Sequence, residues 1–477
     1  MPSILTKLLE LSLPLLPLRA DLLNEIGVSA INAGRREIAA AFFARAVKRD
    51  PAHGSAIHNL GRVLMAQGDF DRAIACFEKA LESGVLGVEP ENDLGVIQLK
   101  RGNLDEARDH FQRVLSLAPG HANAQLNLGH VLAALGSWDE ALARYASVLK
   151  AQPDHAEAHF GVAVQQLIRG RLRQGWKEYE WRFERSEGAR LRLIPPSPVA
   201  QRWQSESLKG KSILLRDEQG LGDTIQFCRF APRLRAMGAS VYLSVHKSLV
   251  DLLRCSLEGV AGVCAMGQEK QFEPYEYWSP LLSVTRLLDV SLHNIPDKVP
   301  YLQAEEAALQ RWKKQLDAGD GKLRVGIVWR GNPDHENDRN RSLPFEQLDC
   351  LANPHCTFFS LQSGVNAQQL AKSALAPVSL AGQLRNFSET AAAVANLDLV
   401  IAVDTSVAHL AGALGRPVWL LLPFYSDWRW LLGRSDSPWY PTMRLYRQPD
   451  RGDWTPIVAR LAQDLAKLAV DRHVRSN

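Results

Sequence analysis

The stretch Gly61-Arg-Val-Leu-Met-Ala-Gln-Gly68-Asp-Phe-Asp-Arg-Ala73-Ile-Ala-Cys-Phe77 returns 34 residues later as Gly95-Val-Ile-Gln-Leu-Lys-Arg-Gly102-Asn-Leu-Asp-Glu-Ala107-Arg-Asp-His-Phe111. The interval holds well beyond these two copies. Gly27, Gly61, Gly95 and Gly129 form one register, with Ala163 in the fifth copy. Gly34, Gly68, Gly102, Gly136 and Gly170 form a second, and Ala39, Ala73, Ala107 and Ala141, continued by Gly175, a third. The fourth is aromatic: Phe43, Phe77, Phe111, Tyr145 and Tyr179. Pro51, Pro119 and Pro153 close three units, and Val85 stands in the second. Registers in phase at this period mean a stack of identical supersecondary units.

Each register has a physical task in a helix–turn–helix unit. The Gly27 series sits on a first helix, where a missing side chain admits the second helix, and the Ala39 series is its small partner. Gly34 and its equivalents fall between helices, where a left-handed cap needs positive φ. The aromatics fill the space between stacked units, and the prolines end second helices. Residues 20 to about 185 thus resemble the tetratricopeptide repeat family. The fifth unit drifts into Trp176, Trp181 and Phe183, as a capping repeat against another domain would.

Solenoids of this kind bind extended partners on a concave face made by their first helices. Asn59 and Asn127 hold equivalent positions there, with Asp93 and Glu25 in the other two units. A carboxamide both donates and accepts, so a row of them can grip a peptide backbone. The arrangement is similar to the asparagine ladder of O-linked N-acetylglucosamine transferases, which implies a protein acceptor held at Asn59, Asp93 and Asn127. Solvated polar residues on an exposed face would read the same way.

Length and composition set the frame. At about 150 residues per domain, 477 residues suggest roughly three domains. With 46% hydrophobic and 23% charged residues, 33 Gly and 25 Pro, the chain is neither collagen-like, disordered nor a small disulfide scaffold. A net charge of +4 is too small to argue for nucleic acid or an anionic membrane. No apolar run approaches the length of a membrane span. The apolar stretch Leu11 to Leu18 is broken by Pro14 and Pro17 and preceded by Glu10, so residues 1–19 read as a lead-in, not a signal peptide. The six cysteines lack Cys-x-x-Cys spacing and read as reduced thiols of a cytoplasmic protein.

Beyond Pro195, Pro196 and Pro198 the periodicity changes. Residues 186–209 read as a linker, 210–305 as a first Rossmann-like domain, and 306–477 as a second with a C-terminal crossover helix. Ser212 to Arg216 reads as a buried parallel strand, running into Asp217-Glu-Gln-Gly-Leu-Gly-Asp223 and an amphipathic helix. Val241–Val245, Leu323–Trp329, Thr357–Leu361, Leu399–Val403 and Pro417–Leu422 read as further strands. Strands alternating with helices predict doubly wound α/β layers. The expected fold is therefore an α-solenoid followed by two Rossmann-like α/β domains facing a cleft.

Two turns carry the chemistry. Gly220-Leu-Gly222-Asp223 lacks the third glycine of a dinucleotide fingerprint and the Lys of a P-loop. It offers a tight turn with Asp223 opening a helix, where an aspartate is often only a cap. Asp404-Thr-Ser-Val-Ala-His409 follows a strand and opens a helix, setting the Thr405 and Ser406 hydroxyls and free N–H groups at a positive end that suits a diphosphate. Arg330, with Arg339 or Arg341, could neutralise that diphosphate, and Asn332 and Gln362 could read a base or ribose. Asp334, His335 and Asp338 form no metal-ligand spacing, and no metal is assigned. Trp428, Trp430, Trp439 and Tyr440 are expected to be buried between the crossover helix and the first domain, with sugar stacking as the alternative.

Gly222-Asp223 and Asp404-Thr405-x-x-x-His409, in this order, resemble the heptosyltransferase-like glycosyltransferases of family 9 over about residues 210–450, with Trp329-Arg-Gly-Asn-Pro-Asp334 and Asp427-Trp-Arg-Trp430 adding to the likeness. The resemblance implies a GT-B fold, Asp223 as general base, and Asp404, Thr405 and His409 against a nucleotide sugar that is substrate and not cofactor. Ser406 departs from the family's usual glycine. The implied reaction is metal-independent, inverting transfer to a hydroxyl, probed on a protein recruited by the repeats. A non-catalytic sugar-nucleotide-binding scaffold and a lipopolysaccharide or other saccharide transferase are the alternatives.

Overall fold

The computed structural model describes residues 18–84, 87–185, 197–317, 319–335, 337–365 and 367–476. Most of the lead-in, Val85, and residues 186–196 with Pro195 and Pro196 lie outside the described residues. By its internal contacts the chain divides into two compact units, residues 1–161 and 162–477.

The first unit is a run of antiparallel helix pairs. Ala20–Asn32 pairs with Arg36–Arg49, Gly54–Ala66 with Phe70–Glu82, Glu89–Arg101 with Leu104–Leu117, and Ala122–Ala134 with Trp138–Ala151. Gly34, Gly68, Gly102 and Gly136 all take positive φ, between 73° and 86°, so each inter-helix turn needs the residue that reaches that region without strain. Ala39, Ala73, Ala107 and Ala141 are completely buried. The glycines of the other register meet a different partner from the alanines expected. A Cβ on Gly27 would lie 2.4 Å from the Phe43 ring, on Gly61 2.6 Å from Phe77, and on Gly95 2.7 Å from Phe111. The aromatic ring occupies the space the side chain would take, because 16 residues on it returns to the same level of the paired helix. Tyr145 is squeezed between Gly129 and Gly161, spanning two successive repeats.

The second unit opens with the end of the fifth repeat and holds two parallel sheets. In the first, β1 (Gln201–Arg202), β2 (Ser212–Arg216), β3 (Ser240–Val245), β4 (Gly262–Ala265) and β5 (Tyr277–Pro280) lie in the order β1-β5-β2-β3-β4. The segment read as a linker therefore ends inside this sheet, since Gln201 and Arg202 pair with Tyr277 and Trp278. Two residues of strand flanked by polar loop leave no periodicity to detect. In the second sheet, β6 (Leu323–Val328), β7 (Cys356–Ser360), β8 (Val378–Ser379), β9 (Leu399–Val403), β10 (Val418–Leu422) and β11 (Met443–Arg447) run β11-β10-β9-β6-β7-β8. All pairings in both sheets are parallel. Strands buried on both faces explain the continuous apolar runs Leu399–Val403 and Val418–Leu422, whose residues are all buried.

Chain order reverses between β2 and β5 in the first sheet and between β6 and β9 in the second. Ligands of open α/β sheets bind outside the carboxyl ends of strands at such switch points. The Asp223 turn follows β2, the residue 330–341 loop follows β6, and the Asp404 turn follows β9.

The C-terminal helix Thr455–Ser476 does not play the crossover part expected of it. Its buried Ile457, Val458, Leu461, Leu465 and Ala469 join Val325, Ile327 and Leu399 in the core of the second sheet. The helix carries one apolar stripe, and its own sheet covers it.

Candidate functional site

Two helices bring the two motifs together. Leu221–Phe227 starts at the carboxyl end of β2 and Ser406–Ala413 at that of β9. They meet where Gly222 faces His409: a Cβ at residue 222 would lie 2.9 Å from His409 Cδ2. Any side chain there would push the helices apart, and with them the two layers.

Asp223 is the third residue of its helix. Its Oδ2 accepts a hydrogen bond from the Gly220 N–H at 2.8 Å, which is the cap the bland reading anticipated. It does more than cap, because Oδ1 pairs with the Arg429 guanidinium from the facing layer. Burial raises the Asp223 carboxyl above its usual range, with Arg429 opposing and Asp427 adding to the rise.

The Asp404 turn is held from several sides. Asp404 Oδ2 accepts from Trp430 Nε1 at 2.8 Å, and its carbonyl oxygen accepts from an Arg341 terminal nitrogen at 3.0 Å. Burial, then the nearby Asp427, push the Asp404 carboxyl up to about 6. His409 lies 3.7 Å from Asp404 Oδ1, yet the contact is not an ion pair. Burial, with Arg429 and Arg229 nearby, holds the imidazole well below its ordinary pKa, so it is neutral, and its Nδ1 bonds the Tyr440 hydroxyl at 2.9 Å. Thr405 is the N-cap residue with extended backbone, and its hydroxyl donates to the Val403 carbonyl at 3.2 Å. The half-buried Ser406 begins the helix, whose first N–H groups have no carbonyl within the helix to bond.

The expected donor residues of the 330–341 loop divide into exposed and structural ones. Arg330 and Asn332 are exposed at the carboxyl end of β6. Gln362 is buried, and its Oε1 accepts from the N–H groups of Trp329 and Arg330 at 3.3 and 3.0 Å, so it pins the loop. Arg341 pairs with Asp338 at 3.2 Å while reaching Asp404, so it braces the turn from behind. Among the described residues no group of three or more His, Cys, Asp or Glu converges. A cavity of about 470 Å³ lined by Lys322, Cys356 and Val378 opens at the amino ends of β6 and β7, away from both motifs.

The aromatic cluster is buried, but against other partners than a crossover helix. Trp428 meets Trp176 edge-on at 5.2 Å between centroids and tilts against Phe227 at 6.4 Å. Trp176 lies on Leu172–Tyr179, the last helix of the fifth repeat, which packs within the second unit. Just beyond it Arg182, 2% exposed, holds both carboxylate oxygens of Glu218 at 2.9 and 3.0 Å and Ser283 Oγ at 2.8 Å. The capping-repeat expectation thus acquires a specific form: the cap grips the loop that carries Asp223.

In the first unit, the open row of polar side chains is partly consumed internally. Asn59 donates to Asn24 Oδ1 at 2.9 Å, and Asp93 bonds His58 at 2.9 Å with Arg62 4.0 Å away. Neighbouring repeats place these side chains within reach of each other, which their 34-residue spacing alone does not disclose. Asn127 is half-buried on its helix.

Sequence reasoning passed over Arg429 and Gln226, the residues that join the layers at Asp223. The available signal was a lone Asp427-Trp-Arg429 beyond a buried strand.

Fold and site together define a tetratricopeptide solenoid joined to a GT-B-like pair of parallel α/β layers. Residues 30–85 and 98–164, and separately 58–122, match the tetratricopeptide repeat family. Residues 360–421 match glycosyltransferase family 9 (heptosyltransferase), a span that holds Gln362 and the whole Asp404–His409 motif. The chain is thus a tetratricopeptide-repeat protein with a glycosyltransferase family 9-like region. Protein FlbA of Caulobacter vibrioides is 28% identical over 335 residues, 65% of this chain and 55% of that protein, so the chain spans about half the length of this relative. Among solved structures, YrrB, a repeat protein with an unusual peptide-binding site, is 24% identical over 38% of this chain and 91% of its own, with TM-score 0.30. MamA is 22% identical over 34% and 96%, with TM-score 0.30. No helix among the described residues is long and apolar enough to cross a membrane.

Proposed function

We propose that the protein is a glycosyltransferase that moves a sugar from a nucleotide-sugar donor to an acceptor hydroxyl. The observation carrying this is the contact of Gly222 with His409, which sets a carboxylate and a helix N-terminus on adjoining walls at two switch points. The donor diphosphate would lie against the Thr405–Ser406 turn, with Arg330 supplying countercharge. Asp223 would take the acceptor proton as the hydroxyl oxygen attacks the anomeric carbon and the nucleoside diphosphate departs. One displacement between opposite walls inverts the anomeric centre, and countercharge from arginine and backbone N–H groups makes it metal-independent. The repeats favour a protein acceptor, since solenoids are peptide-binding devices.

A thermal-shift screen against UDP-, GDP-, ADP- and CMP-sugars tests the donor, because a ligand selective for the native state raises its stability. Asp404→Ala is expected to abolish the shift. Asp223→Asn should keep it and lose transfer, and a fully active Asp223→Asn would overturn the reading. The ion pair of Asp223 with Arg429 supports a second reading, a donor-binding scaffold without turnover. That reading requires donor binding but no transfer to any hydroxyl acceptor.

A further inference from the structure

The Arg429 guanidinium is committed on every side. One terminal nitrogen pairs with Asp223 Oδ1, the other with Asp427 Oδ1 at 2.9 Å, and Nε donates to Gln226 Oε1 at 2.8 Å. Asp427 Oδ1 also accepts the Arg429 backbone N–H at 2.9 Å. The Trp428 ring lies 4.1 Å from the guanidinium carbon and the Phe227 ring 5.7 Å. The side chain is 8% exposed. Asp223 and Gln226 are one turn apart on a single helix, so the planar fork spans that helix from the facing layer.

We propose that Arg429 is a positioning residue for Asp223: it fixes the rotamer of the carboxylate and holds it as an anion, leaving lone pairs for the acceptor hydroxyl. This rests on the reading of Asp223 as the base. Each carboxylate oxygen accepts two hydrogen bonds, so the grip on Oδ1 and the Gly220 cap on Oδ2 leave acceptor capacity. Several other groups face this carboxylate. Asp427 and, from its own strand, Asp217 repel its charge, while His335 on the loop after β6 favours it. The Tyr179 hydroxyl faces it from the repeat helix, and His409 packs on Gly222 beside it. Arg429 is the group among these that pairs with it directly.

The test is the pH profile of kcat/KM for transfer, with Asp223→Asn as blank. Removing an opposite charge within about 4–6 Å raises a carboxyl pKa by about 1–3 units. Arg429→Gln should therefore move the acidic limb up by about one pH unit or more, with the rate loss at pH 6 at least tenfold greater than at pH 9. A merely structural loss would lower the rate equally at all pH values, and an unmoved limb overturns the proposal. Arg429→Lys, which keeps charge but not the fork, should leave the limb nearly in place and slow transfer at least fivefold; a wild-type rate would refute the positioning role. Titration of the Asp223 carboxyl by ¹³C NMR, assigned with Asp223→Asn, needs no turnover. Its midpoint should be higher in Arg429→Gln, and coincident midpoints overturn the grip even if transfer is never seen. An active Asp223→Asn with a displaced midpoint would instead sink the base assignment alone.

Discussion

Gly222 and His409 touch across the two α/β layers, with room for a hydrogen but not for a methyl group. His409 is 5% exposed and tied to Tyr440, so it has little freedom to retreat. Gly222→Ala should cost about 1–3 kcal/mol, as overpacking does. Transfer should fall more than donor binding, because the added carbon separates the base from the turn at residue 404. Thermal melting and paired donor-shift and transfer assays check this.

Asp404 carries a sign that can be worked out. Its carboxyl is raised to about 6 in the folded chain, against about 3.9 unfolded. Between these values the native state holds a proton that the unfolded state has lost, so stability falls as pH rises from about 4 to 6. Two units correspond to at most about 3 kcal/mol. Asp404→Asn should flatten that fall, its stability relative to wild type growing from pH 4 to pH 7 in urea titrations. Donor affinity should weaken over the same interval in wild type, as the carboxylate comes to repel the diphosphate.

The buried pair of Arg182 and Glu218 gives a third expectation. Arg182→Ala strands a carboxylate that is 7% exposed and should cost about 3–5 kcal/mol. Replacing Arg182 by Met and Glu218 by Leu together should cost less than the single change. Chemical denaturation of the three variants decides.

In the solenoid, Gly95→Ala should cost about 1–3 kcal/mol against the buried Phe111 ring. Gly120→Ala, at an exposed glycine with open space around it, should change stability little. Phe111→Leu should relieve part of the Gly95→Ala cost, a coupling a double-mutant cycle measures.

Repeats and strands were legible because both are written in local periodicity. The positive φ of Gly34, Gly68 and Gly102 and the full burial of Leu399–Val403 follow from residue type and spacing alone. The partners of the site were less so. Asn59 meets Asn24, Gln362 meets the chain at Trp329, and Arg429 meets Asp223 across 206 positions. Such pairs depend on which layer faces which, and no window of sequence contains them. The crossover role failed for a related reason: an apolar stripe announces that a helix is covered without saying by what.

The last repeat helix shares its Trp176 with Trp428 and is followed by Arg182 on Glu218. Whole 34-residue modules can therefore be gained or lost by duplication among the earlier copies, lengthening or shortening the solenoid while the reaction centre is inherited unchanged. The fifth copy is excluded from that trade: descendants must keep it as part of the enzyme half, whatever happens upstream.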